Sequence, residues 1–149
     1  YVVDDIVIVA GPSHPLAAQG EVPLKELEGQ NFILREPGSA TRRAAEGCLR
    51  DHGIATNVVM ELGSNEAVKG AVAAGLGLGL ISRFAIVPDT VAGFISVLSI
   101  QEWRCQRPLT LFYRNDIYLP SAQRAFLGFL QEEKPLPEFA KLGPHTPDE

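Results

Sequence analysis

Short apolar runs alternate with amphipathic stretches along most of this chain, and turns containing Gly, Pro or Ser separate them. Runs rich in Val, Ile, Leu and Phe are typical of buried strands, whereas apolar residues three and four positions apart indicate helices. The predicted strands cover residues 6–10, 31–35, 58–62, 76–81, 94–100 and 108–113. The predicted helices run from after Ser39 to Gly53, from about Asn65 to Gly75, and over 122–133. This alternation predicts an α/β fold with a parallel, doubly wound sheet.

The turn that follows the strand at 31–35 is the first candidate binding site. In open α/β sheets, small ligands lie beyond the carboxyl ends of the strands, where the first N–H groups of the helices are unpaired. Gly38 gives this turn a flexible backbone, and Ser39 is a natural helix N-cap. Thr41 adds a hydroxyl in the first helical turn.

Three arginines, Arg35, Arg42 and Arg43, surround the same helix start. A cation there opposes the helix dipole by roughly 0.3–1 kcal/mol, so the cluster favours a bound anion. The alternative is that Glu36 pairs with one arginine while water solvates the others.

The second candidate is the turn Gly63-Ser64-Asn65, which follows the strand at 58–62. Ser64 and Asn65 can hydrogen-bond a ligand, and they can equally serve as a plain N-cap for the next helix. The two roles are compatible because a capping side chain keeps spare hydrogen-bonding capacity.

The sequence shows no recognisable catalytic arrangement. The three histidines have no partner at triad or metal spacing, and Ser82 lacks the glycines of a nucleophile elbow. The glycine-rich run at 75–79 lacks the lysine of a phosphate-binding loop and follows a helix, so close packing of a buried strand explains it better. We therefore predict no catalytic residue, no metal site and no cofactor.

Composition, net charge and the length of the apolar runs exclude some functions for this segment. The 149 residues are 46% hydrophobic and carry a formal net charge of −5, which excludes broad nucleic-acid binding by this segment. No apolar run is long enough to span a membrane, so no membrane partner is expected.

Cys48 and Cys105 lie far apart in sequence, which favours reduced thiols in a cytosolic protein. Adjacent acidic residues such as Asp4 and Asp5 are expected to be solvated, and the first residue, Tyr1, suggests a piece of a longer protein.

Three blocks of this sequence resemble LysR-type transcriptional regulators. They are HPLA at 14–17, VPLKELEGQNFILREPGSATRR at 22–43 and SNEAVKGAVAAGLGLGLIS at 64–82. Their order and spacing are similar to the effector-binding domain of that family, whose fold resembles type II periplasmic solute-binding proteins. The wording REPGSATR is similar to regulators of carbon-fixation operons, whose effectors are phosphorylated metabolites.

The resemblance implies a domain organisation. Residues 1–134 would form a partial effector-binding domain, with most of its second lobe at about 11–107. Crossing strands and the C-terminal helix would come from 1–10 and 108–134, and 135–149 would be a flexible tail. On this resemblance, most of the first lobe and the DNA-binding winged helix-turn-helix would lie outside this chain. DNA binding is therefore expected only through an N-terminal domain that is not in this chain.

The resemblance also assigns a function and a site. The protein is expected to be a cytoplasmic regulator that binds a small anionic metabolite, a carboxylate or a phosphate, and that self-associates. The implied effector-binding residues are Pro37, Gly38, Ser39, Ala40, Thr41, Arg42, Ser64 and Asn65. The alternatives are a solute-binding protein of a transport system, which shares the fold, and an enzyme that uses the same crevice.

Overall fold

The computed structural model describes residues 2–114 and 118–133, and they divide into two compact units. The larger unit comprises Asp4–Arg107, and the smaller comprises the described residues outside that range, which are 2–3, 108–114 and 118–133. The strands are β1 (Val2–Ala10), β2 (Asn31–Arg35), β3 (Asn57–Leu62), β4 (Leu78–Ser82), β5 (Ser96–Val97) and β6 (Gln106–Leu109). The α-helices are α1 (Ala40–Asp51), α2 (Asn65–Ala73), α3 (Val87–Val91) and α4 (Ser121–Glu133). Short 3-10 turns occupy Pro15–Ala18, Leu24–Leu27 and Arg83–Ala85.

The strands form one sheet in the order β3-β2-β4-β1-β5, with β6 also paired to β1. β2 runs parallel to β3 and β4, whereas β1 runs antiparallel to β4 and β5. The prediction of a parallel sheet is therefore wrong for β1. A short β-branched run predicts a buried strand, but it carries no information about the strand's direction.

Helices cover both faces of the sheet, as the doubly wound prediction requires. Phe32 and Leu34 of β2 belong to one apolar cluster with Ala45 and Leu49 of α1. Ile33, between them, belongs to a second cluster on the other side with residues of α2. Successive side chains of a strand point to opposite faces, so β2 is buried on both. The two helices that follow β2 and β3 therefore lie on opposite sides of the sheet.

The glycines around β4 allow close approach, as predicted from their spacing. A Cβ atom at Gly77 would lie 2.7 Å from the backbone oxygen of Asn31. A Cβ atom at Gly79 would lie 2.8 Å from Val72 Cγ2 of α2. Any larger residue at these positions would separate β4 from its neighbours.

Two predicted strands near the end of the sheet differ from the structure. The strand predicted at 94–100 is reduced to Ser96–Val97, and the one predicted at 108–113 lies at Gln106–Leu109. Ser96 and Ser99 interrupt the apolar residues of the first segment, and Pro108 lies in the second, so the pattern places such short elements poorly. The tail predicted at 135–149 lies outside the described residues. Among the residues that are described, no helix is both long and apolar enough to cross a membrane.

Asp4 is fully buried, which corrects the prediction that it is solvated. Its Oδ1 accepts a hydrogen bond of 2.8 Å from the Ser82 hydroxyl of β4. Its Oδ2 accepts a hydrogen bond of 2.8 Å from Nε of Arg107 in β6 and forms an ion pair of 2.8 Å with Nη2 of the same guanidinium. A buried carboxylate persists only when it is paired and hydrogen-bonded, and these two neighbouring strands supply both partners.

Cys48 and Cys105 form a disulfide, which corrects the prediction of two separate reduced thiols. Their Cα atoms lie 5.6 Å apart although 57 positions separate them in sequence. Sequence spacing could not predict the pair, because α1 and the start of β6 meet only in the folded sheet.

Candidate functional site

The candidate site lies at the edge of the sheet where β2 and β3 end. These neighbouring strands are parallel, so their carboxyl ends share one edge. Each strand is followed by a turn and then a helix: β2 leads to α1, and β3 leads to α2. The sheet therefore brings the two turns predicted from sequence to the same edge.

The first turn of α1 offers unpaired backbone donors. Ser39 is the N-cap, and its Oγ accepts a long hydrogen bond of 3.5 Å from the N–H of Arg42. The N–H groups of Ala40 and Thr41 lie at the first two helical positions, where no intrahelical acceptor exists. No other acceptor for them is found in the described part of the chain. Gly38 has φ +92°, a conformation that glycine adopts without strain, and it sets the direction in which the chain enters α1.

The first turn of α2 has the same construction. The Ser64 hydroxyl accepts a hydrogen bond of 3.1 Å from the N–H of Ala67, so the N-cap interpretation is correct. The Ser64 hydroxyl hydrogen remains available to donate to a ligand. Asn65 follows as the first helical residue, and its side chain is partly buried.

Arg35 joins the two turns. From the end of β2, its Nη1 donates to the side-chain oxygen of Asn65 at 2.8 Å, and its Nη2 donates to the Gly63 carbonyl at 3.4 Å. The same guanidinium pairs with Glu36, with Nε to Oε2 at 2.7 Å and Nη2 to Oε1 at 3.0 Å. One side chain thus fixes the start of α2 against the end of β2.

All three arginines at this edge have protein partners. Arg42 forms ion pairs of 2.7 Å with both Glu46 and Glu61. Arg43 donates to the Gly38 carbonyl at 2.6 Å. The alternative weighed above is therefore correct for Arg35, which pairs with Glu36. It is wrong for Arg42, whose guanidinium is held by Glu46 and Glu61. Arg43 is exposed to water as this alternative expects, and it makes one hydrogen bond to a backbone carbonyl.

The charges of these groups are mutually balanced. The hydrogen bond from Arg35 lowers the pKa of the Glu36 carboxyl, so this group stays ionised beside the helix start. Hydrogen bonds to Glu46 and then Glu61 raise the pKa of Arg42. Because carboxylates face the arginines, any preference of this edge for anions must come mainly from the unpaired N–H groups.

Thr41 is more buried than an open ligand contact would be. Only 5% of the residue is exposed, and the first turn of α1 packs against the sheet around it. Ser39 is partly exposed, while Pro37, Gly38, Ala40 and Ser64 are exposed. The accessible surface of the candidate site is thus formed by the turn and the N-caps, more than by the Thr41 hydroxyl.

Sequence reasoning did not identify Arg35 as the link between the two turns, or Glu46 and Glu61 as partners of Arg42. The i, i+4 spacing of Arg42 and Glu46 on one helix was the available signal for the second pairing. No group of three or more His, Cys, Asp or Glu side chains that could hold a metal ion is found within 2–114 and 118–133.

Residues 2–135 match the model of the LysR substrate binding domain family. The RuBisCO operon transcriptional regulator of Acidithiobacillus ferrooxidans is 36% identical over 125 residues, which cover 84% of this chain and 40% of that protein. The HTH-type transcriptional activator CmpR of Synechocystis is 31% identical over 130 residues, covering 87% of this chain and 43% of that protein. These relatives are transcriptional regulators and not enzymes, and the comparisons give no support to a transport protein.

A solved structure shares both the fold and part of the sequence. The regulatory domain of CcmR from Synechocystis, in complex with 2-PG, superimposes with a TM-score of 0.74 and 30% identity. The match covers 89% of this chain and 64% of that one. The chain spans less than half the length of the curated relatives it matches. From the family match and this shared fold, we conclude that the chain belongs to the LysR substrate-binding domain family, the effector-binding domain of LysR-type regulators.

Proposed function

We propose that this chain is the sensing lobe of a cytoplasmic LysR-type transcription factor and that it binds a small anionic metabolite, a carboxylate or a phosphate. Its similarity to RuBisCO operon regulators and to a regulatory domain bound to 2-PG supports a phosphorylated effector. DNA binding would reside in an N-terminal domain outside this chain.

The observation that carries the proposal is the pairing of two capped helix starts at one sheet edge. The residues proposed to form the site are Pro37, Gly38, Ser39, Ala40, Thr41 and Arg42 from the first turn, with Ser64 and Asn65 from the second. The N–H groups of Ala40 and Thr41 would donate to one anionic oxygen. The side-chain amide of Asn65, whose oxygen is held by Arg35, would donate its N–H to another.

The roles of these residues differ in kind. Ala40 contributes only its backbone, and Pro37 and Gly38 shape the turn that exposes it. Arg42 acts through Glu46 and Glu61 as a positioning residue for α1, because both ion pairs engage its guanidinium. An effector transmits a signal only through different affinities for two conformations of the regulator. Contacts with the starts of both α1 and α2 would favour the arrangement in which the two turns share one ligand.

Ala40→Pro tests the site with little cost to the fold. Proline is favoured at the first helical position, and the ψ of 133° at Ser39 suits a residue that precedes proline. The substitution removes one N–H donor, so affinity for 2-PG should fall about tenfold. Calorimetric titration of the chain, and of the natural polypeptide that carries it, measures the change.

Ala40→Ser is the matched control, since it keeps the N–H group and should bind as the unaltered chain does. Melting temperatures of both variants should stay within a few degrees of the unaltered protein. Shikimate and inorganic phosphate separate carboxylate from phosphate recognition. The site assignment is wrong if Ala40→Pro binds normally, and the anion proposal is wrong if none of these compounds binds.

We also propose that this chain self-associates when studied alone. Large apolar side chains in the smaller unit are more than half exposed; they are Phe112, Tyr113, Tyr118 and Phe126. Exposed apolar surface of this kind promotes association. Sedimentation velocity should show a dimer or larger species at tens of micromolar, and Phe112→Ser with Phe126→Ser should shift it toward monomer. A monomer across the whole concentration range would contradict the proposal.

A further inference from the structure

The disulfide between Cys48 and Cys105 joins two parts of the larger unit that the sheet topology brings together. Cys48 lies in the last turns of α1, whose first turn forms part of the candidate site. Cys105 immediately precedes β6 and is 3% exposed. Its backbone oxygen accepts from the Ile6 N–H of β1 at 2.7 Å. The disulfide therefore links α1 to β1, which contains the buried Asp4, and to β6, which contains its partner Arg107.

The same site accommodates the reduced pair. Cys105 Sγ lies 3.6 Å from the backbone oxygen of Ala44, which can accept a thiol hydrogen. Cys48 is partly buried and packs against the apolar cluster that contains Cys105. Thiols behave as small apolar groups in such surroundings, so reduction leaves no unsatisfied charge.

A second contact holds the two cysteine-bearing segments together without the bond. The ring of His52, which follows α1, stacks on Trp103 with centroids 5.3 Å apart. Its Nε2 lies 3.1 Å from the Glu102 carbonyl. Because this contact does not involve sulfur, it keeps the thiols adjacent after reduction and favours re-formation of the bond.

We propose that Cys48 and Cys105 form a reversible thiol–disulfide pair, so that the redox state adjusts the anchoring of α1. In oxidation, the Cys48 thiolate attacks an external low-molecular-weight disulfide and releases one thiol. Cys105 then attacks the Cys48 sulfur of the mixed disulfide, and a second thiol leaves. The protein loses two thiol hydrogens and two electrons, which the external disulfide gains. An external dithiol reverses the sequence.

Cys48 is the entry point, since this residue is partly exposed whereas Cys105 is 3% exposed. Oxidation crosslinks the C-terminal half of α1 to the strand pair β1–β6 and restricts motion along the helix. A change in effector affinity would follow at the Ser39 end, and this consequence rests on the proposed function. The thiol–disulfide reaction itself does not rest on the proposed function.

The test equilibrates the whole chain in glutathione buffers of graded ratio, quenches it with acid and alkylates it in denaturant. Intact mass should change from two labels to none in one transition as the buffer becomes oxidising. Two labels at every ratio, or none at every ratio, would overturn the proposal. Cys105→Ser should accumulate a glutathione adduct at Cys48, whereas Cys48→Ser should form almost none at the buried Cys105; the reverse order would contradict the assigned entry point.

His52→Ala tests the sulfur-independent contact, with His14→Ala as the control from a distant turn. Loss of the stacking should make the pair about fivefold easier to reduce, and His14→Ala should leave the midpoint unchanged. The oxidised chain should melt about 10 °C higher than the reduced one.

Titration with 2-PG in both redox states separates the two proposals. We expect affinities that differ at least threefold between the states, and no redox effect in Cys48→Ser. A redox transition without anion binding in either state would contradict the proposed function alone. Equal affinities in both states would contradict only the coupling to α1.

Discussion

Arg107→Leu should lower the free energy of unfolding by about 3–5 kcal/mol, because it leaves a buried carboxylate without its counter-charge. Arg107 supplies a charge-assisted hydrogen bond of 2.8 Å from Nε and an ion-pair contact of 2.8 Å from Nη2 to Oδ2 of Asp4, which is fully inaccessible to solvent. The Ser82 hydroxyl alone would then face the carboxylate. Urea unfolding at neutral pH, followed by far-ultraviolet circular dichroism, measures the loss.

Arg104→Leu is the matched control. Arg104 is exposed and, among the described residues, donates to the backbone oxygens of Gln101 and Trp103 without an ion pair, so its replacement should cost less than about 0.5 kcal/mol. The double variant Asp4→Leu with Arg107→Leu removes the buried charge together with its partner, and should recover most of the lost stability. Equal losses in Arg104→Leu and Arg107→Leu would show that the Asp4 pairing does not stabilise the sheet.

The contacts of buried Asp4 with Ser82 and Arg107 show why the sequence alone led to the wrong prediction that this carboxylate is solvated like Asp5. Neighbouring side chains on a strand point to opposite faces, so Asp4 and Asp5 have different surroundings: Asp4 is buried and Asp5 is half-exposed. Which one turns inward depends on Ser82 and Arg107, which lie 78 and 103 positions away. No local pattern contains that information. The Cys48–Cys105 disulfide could not be predicted for the same reason, since 57 positions separate its two residues in sequence.

Features that depend on neighbouring residues were predicted well. The apolar run of β2 and the capping residues Ser39 and Ser64 lie where the sequence placed them. Caps act within three residues, and an apolar run defines its own element, so both signals are local. The extent of β1 and its direction were not predicted, since they are set by pairing with β4 and β6.

The arginines at the candidate site were only partly predictable. Their positive charge suggested a bound anion, but the guanidinium group of a long side chain can pair with any carboxylate within its reach. Arg42 reaches Glu61 at the end of the neighbouring strand, and Arg35 reaches Asn65 at the start of α2. Both partners become neighbours only when β2 and β3 pair.

The position of the candidate site depends on how β2 holds one helix on each face. Phe32 is among the largest fully buried side chains and shares an apolar cluster with α1. Ile33, the next residue, shares the opposite cluster with Val68 and Val72 of α2. The two turns therefore meet at one edge because consecutive residues of a single strand bury both helices.

Phe32→Ala should consequently cost about 3–5 kcal/mol of unfolding free energy, and it should loosen α1 more than α2. The alanine leaves a cavity beneath Ala45 and Leu49, and packing in the fold closes such cavities only in part. Chemical denaturation gives the global loss, and amide hydrogen exchange shows which helix loses protection. Ile33→Ala is the comparison: its loss of about 2–5 kcal/mol should appear first in α2. Equal loss of protection in both helices for both variants would mean that the two faces unfold as one unit, and that the starts of α1 and α2 cannot be displaced independently at the candidate site.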